Sequence, residues 1–181
     1  VTEQEIIKGC IKKNAACQHL LFQQYAGKMM TVCLRYAGDQ KEAEDILQES
    51  FIKIFDHLGQ FRGDGPLEGW LRRIVVNTAL KILQRKKIHF SILNDNDETT
   101  PAVAPHVLDQ MSADELLKLI SRLPEGYRIV FNLYVLEGYD HNEIAAMLNI
   151  NPGTSRSQLV KARRLLQQQI NVLFKLPNKY V

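Results

Sequence analysis

The sequence predicts an all-α chain of two small helical domains joined by a flexible acidic linker. Two observations predict it. Apolar residues recur at three- and four-residue steps along most of the chain, while strand-like alternation is almost absent. Charge also divides the 181 residues into three blocks. Residues 1–90 carry a net charge of +4, residues 91–111 a net of −4 with no Lys or Arg, and residues 112–181 a net of +3. The middle block, with Asn94-Asp95-Asn96-Asp97 and two prolines, has the composition of an exposed linker. The expected boundaries are therefore 1–90, 91–111 and 112–181.

The helices can be taken in order. Thr2 and Glu5 form a capping box that opens the first. Leu20, Leu21, Tyr25, Met29, Val32 and Tyr36 mark the second, which Gly38-Asp39 breaks. The third runs from about Gln40 to Leu58, with Ala43, Ile46, Leu47, Ser50, Phe51, Ile54 and Phe55 on its inner side. Gly59, Gly63, Gly65 and Pro66 then define a loop, and a fourth helix runs from Leu67 to about Lys87. Past the linker, Ser112 and Glu115 form a second capping box, and Pro124 ends the helix they open. Residues 125–136 are apolar almost all round, as in the central helix of a small bundle.

The segment from Asp140 to Arg164 carries the clearest motif. Asp140 and Glu143 cap a short helix, Asn149 suits the left-handed residue of a tight turn, and Pro152-Gly153-Thr154 starts a second helix. Two short helices joined in this way form a helix-turn-helix. Ser155, Leu159, Ala162 and Leu166 are expected to face the bundle, and Arg156, Ser157, Val160, Lys161 and Arg164 the outside. Arg and Lys read guanine edges, Ser serves base or phosphate, and a small apolar side chain meets a thymine methyl. Thr154 and Arg163 suit phosphates.

Other chemistry finds little support. Cys10, Cys17 and Cys33 contain no CxxC pair and read as reduced, helix-packed thiols of a cytoplasmic protein. The five histidines lack ligand spacing, and none of Glu42, Glu44 and Glu49 is followed by His three residues on, as a di-metal carboxylate bundle requires. No nucleophilic triad is recognisable, so neither an enzyme nor a cofactor or metal is expected. No apolar run approaches the ~20 residues of a membrane helix, so no membrane insertion is expected.

Two stretches resemble region two of the extracytoplasmic-function (ECF) sigma factors of bacterial RNA polymerase: Arg35 to Phe55, and Phe61 to Leu80. Residues 112–170 resemble their region four, in the family's order and spacing. The resemblance implies that Asp45, Gln48, Glu49 and Phe51 meet the clamp coiled coil of the polymerase's largest subunit. Glu42, Asp45 and Glu49, at i, i+3 and i+7, would form an acidic stripe suited to a basic partner. It further implies that the glycine-rich loop holds a base flipped from the melted −10 element. Gly63 would admit close backbone approach, Phe61 would stack, and Arg62, Arg72 and Arg73 would take phosphates. Asn77 matches a family position near the captured base, and Lys81 and Arg85 extend the basic face. Trp70 reads as a core aromatic ahead of a base wedge, and Leu67 stands where the family commonly has an aromatic residue. The implied partners are core polymerase, through clamp and flap, promoter DNA read at −35 and −10, and an anti-sigma factor. The competing reading is a stand-alone helix-turn-helix regulator with an N-terminal sensing or dimerisation domain.

Overall fold

The computed structural model describes residues 1–86 and 111–174, which form two compact units, Val1–Lys86 and one within Lys87–Val181. Every regular element among the described residues is helical. The expectation of a flexible linker at 91–111 lies outside the described residues, apart from Met111.

The first unit holds α1 (Glu3–Ile11), α2 (Ala15–Tyr36), α3 (Gln40–His57), a 3-10 turn (Leu58–Gln60) and α4 (Leu67–Arg85). Local chemistry sets the starts. Thr2 and Glu5 make the predicted capping box, Asn14 caps α2 through the Cys17 amide, and Asp39 caps α3 through the Glu42 amide. Each such cap is worth about 1 kcal/mol. Helices α2, α3 and α4 pack on one another, and α1 lies against α2 and the 3-10 turn. Leu21, Met29, Tyr36, Ile46, Ile54, Leu71 and Leu83 are fully buried between them. An aliphatic side chain so buried contributes about 1.5–3 kcal/mol. Gly9 is required by close packing: a Cβ there would run into the side chain of Cys17 across the α1–α2 turn.

In the second unit α5 (Ala113–Ser121) is followed by α6 (Glu125–Phe131), a π-turn (Asn132–Leu136), α7 (His141–Leu148) and α8 (Pro152–Leu173). The expected single helix over 125–136 therefore widens in its second half. The Glu137 amide reaches back five residues to the Asn132 carbonyl. Helix α6 is buried nearly all round, as its composition predicts. Helix α8 packs against α5, α6 and α7 and extends well past Arg164. Ser112–Glu115 and Asp140–Glu143 form capping boxes, and Asn149 takes the left-handed conformation at φ 55°. The helix-turn-helix is thus α7, a turn through Asn149, and α8.

Candidate nucleic-acid and protein interfaces

In the first unit, the Gly63 φ of +77° turns the loop between the 3-10 turn and α4. The loop and the start of α4 enclose an open groove of about 530 Å³. Phe61 and Trp70 stand on its wall with ring centroids 5.7 Å apart, and Arg62 and Arg73 supply positive charge at its rim. Aromatic faces beside cations suit an unstacked base and its phosphates. Trp70, expected in the core, is only half-buried and lines this groove. Leu67 is buried and serves packing. Of the other expected residues, Asn77, Lys81 and Arg85 are exposed along α4 at four-residue steps from Arg73. Arg72 is half-buried and does not line the groove.

The acidic stripe on α3 is less uniform than its spacing suggests. Glu42 accepts from the Gly38 amide at 2.8 Å and pairs with Lys86 Nζ at 2.6 Å, leaving its side chain 11% exposed. Glu49 pairs with Lys53 at 2.7 Å, and Lys53 Nζ also reaches Thr78 Oγ1 of α4 at 3.3 Å. The Lys53 contact holds the Glu49 carboxyl below the usual carboxylate range against the effect of burial, with help from Arg85 and Lys81. Asp45 and Gln48 remain outward-facing. Phe51 does not belong to this surface. It is 3% exposed, with its ring 4.7 Å from that of Phe22, because it continues the Ile46-Leu47-Ser50-Ile54 stripe that α3 buries. The exposed apolar residue beside Asp45 and Gln48 is Ile52, 59% accessible, which sequence reasoning missed. It lies seven residues from Asp45, two turns along the same face, a spacing that would have found it.

In the second unit, Arg156, Ser157, Val160 and Arg163 form the exposed ridge of α8, and Thr154 and Arg164 flank it half-buried. The Ser157 hydroxyl donates to the Thr154 carbonyl at 3.0 Å. Lys161 is not on the ridge. It is buried, because three helices cover α8 and the covered face widens to include Gln158 and Lys161. A lysine's four-carbon stem packs well at such a margin. Arg163, which the sequence suits to phosphates, lies along the same exposed ridge as Arg156 and Val160. Behind the ridge, the His141 ring stacks on Tyr134 with centroids 4.5 Å apart and planes 19° from parallel. His141 Nδ1 lies 2.9 Å from Ser155 Oγ, and the Arg163 guanidinium is 5.9 Å from the Tyr134 ring centroid. Burial pushes the His141 pKa down, as do Arg156 and Arg163, against Asp140.

Among the described residues no helix is long and apolar enough to cross a membrane, and no group of three metal-ligating side chains occurs. Comparison with known proteins covers both units. Residues 21–88 match the family model for Sigma-70 region 2, and residues 113–166 that for Sigma-70, region 4. The chain is 31% identical over 189 residues to the ECF RNA polymerase sigma-E factor of Escherichia coli K12, with 97% of each chain covered. It is 30% identical over 186 residues to the ECF RNA polymerase sigma-E factor of Haemophilus influenzae, covering 96% of this chain and 97% of that one. A solved complex of the sigma factor RpoE with the anti-sigma factor NepR, from Bartonella quintana, aligns with a TM-score of 0.49 at 18% identity, over 88% of this chain and 98% of that one.

Proposed function

The chain belongs to the ECF sigma factors and directs transcription initiation as a non-enzymatic factor, and from that premise we propose how its two units divide the work. Residues 1–90 act as region two: they bind core polymerase and hold melted −10 DNA. Residues 112–181 act as region four and read the −35 duplex, with residues 91–111 as the spacer. The observation that carries the division is the contrast in cationic surfaces. One borders a groove with paired aromatic rings, and the other is an exposed helix ridge.

A captured base must leave its stack, at a cost of a few kcal/mol, and a preformed aromatic slot offsets that cost. Phe61 and Trp70 offer the slot, and Arg62, Arg73, Asn77, Lys81 and Arg85 guide the strand. A helix ridge instead fits the major groove. Arg156 and Arg163 there suit guanine edges or phosphates, and Val160 suits a thymine methyl. On α3, Asp45, Gln48 and Ile52 form the surface for the polymerase clamp. Glu42 and Glu49 contribute less, since their charge is already paired. The second unit meets the flap, and an anti-sigma factor is the further partner expected of a family member.

Run-off transcription with reconstituted core polymerase tests this reading. Addition of the chain should give promoter-dependent transcripts that Asp45→Lys reduces. Operator binding by the chain alone, with no transcript from the mixture, would instead favour the stand-alone regulator.

A further inference from the structure

One side chain ties the two helices of the helix-turn-helix together. His141 is the first residue of α7, behind the Asp140 cap, and its Nδ1 meets the hydroxyl of Ser155, which α8 buries completely. Its ring also lies flat on Tyr134 of the π-turn, whose ring Arg163 approaches. A half-buried imidazole is therefore fixed by three elements at once. The charged groups acting on it are Asp140 at its own helix start and Arg156 and Arg163 from α8, while the π-turn contributes only the Tyr134 phenol. The two arginines disfavour the imidazolium, and both belong to the exposed ridge assigned above to duplex DNA.

We propose that His141 is a positioning residue that takes up a proton from solvent when α8 engages duplex DNA, locking α7 to α8 in the bound state. Burial does most to disfavour the imidazolium and the two arginines add to it; phosphates against Arg156 and Arg163 offset the arginines' share. Once protonated, Nδ1 is a donor, so the Ser155 hydroxyl accepts its hydrogen bond and turns its own proton elsewhere. The proposal rests on the reading of α8 as the −35 helix.

The sign follows from linkage. With the titration point higher in the complex than in the free chain, affinity is unaffected at pH above both. It rises as pH falls through the bound point and levels off below the free one. The gain is bounded at about tenfold for each unit separating the two points.

The test compares promoter binding by holoenzyme carrying wild type, His141→Gln or His141→Phe, from about pH 7.5 to about pH 5.5 at fixed salt. The phenylalanine keeps the stack on Tyr134 without a titrating group. Wild type should tighten severalfold more than either variant, and only on templates with an intact −35 element. In parallel, the His141 imidazole resonance of the full chain, assigned by its loss in His141→Gln, should titrate at higher pH when a −35 duplex is added. Equal pH slopes in all three proteins, or an unmoved midpoint on duplex binding, would overturn the proposal while leaving α8 as the −35 helix. Binding that ignores the −35 element at every pH would overturn both readings.

Discussion

Helices α4 and α8 are both basic and amphipathic, yet their cations are set in different surroundings. Those of α4 stand beside acids and aromatic rings of the same unit. Arg73 shares a groove with Asp64, Phe61 and Trp70, and Lys81 and Arg85 act on Glu49. The cations of α8 are backed by a histidine and a tyrosine instead. Net charge, +4 over residues 1–90 and +3 over residues 112–181, does not separate these cases. What separates them is what stands beside the cations, a groove walled by two aromatic rings for α4 and an exposed ridge for α8.

Three measurements sharpen or break that contrast. The largest effect is expected from Phe61→Ala with Trp70→Ala. Stacking on an aromatic side chain is worth about 1–3 kcal/mol per base, so open-complex formation should fall roughly tenfold to a hundredfold. Permanganate reactivity of melted −10 thymines reports it, and a premelted template should show the same loss in affinity. Unchanged melting would mean that the groove holds no base. Arg156→Ala should cost about 1–3 kcal/mol of discrimination at one −35 position, leaving binding to premelted −10 DNA intact. Selection from randomised −35 sequences reads this directly, and an unaltered consensus would remove Arg156 from the reading ridge.

The smallest change concerns the body of the second unit. Ser112→Ala removes the cap of α5 and should cost about 1 kcal/mol in the melting of that unit alone. The backbone and hydroxyl of Ser112 hold the Glu115 carboxyl below its usual range. The stability from this source is therefore present above the ordinary carboxylate pKa and lost as pH falls through the folded one. The difference between wild type and Ser112→Ala should narrow in acid without vanishing, because the hydroxyl's bond to the Glu115 carboxylate is lost while its bond from the Glu115 amide remains; a difference constant down to low pH would assign the whole effect to the amide bond.

What the sequence made legible is mostly what short range decides. Capping boxes at Thr2, Ser112 and Asp140 depend on residues three apart, and the Asn149 turn depends on one side chain's tolerance of positive φ. The two corrected site residues, Phe51 and Lys161, depend on how much of a helix its neighbours cover, which a single helix's periodicity underestimates when three others pack on it. Trp70 erred the opposite way, since a loop left one side of its ring open. The His141–Tyr134 stack could not be read at all. It needs the π-turn to present Tyr134, and no local sequence rule signals that irregularity.

The Glu42 carboxylate has a mechanical consequence. One oxygen holds the Gly38 amide just before α3, and the other holds Lys86, the last described residue of the first unit. Tension applied to the chain beyond Lys86 is thus shared with the α2–α3 corner instead of falling on the final turn of α4 alone. An ion pair whose lysine is 59% exposed gives way easily, so it acts as a fuse.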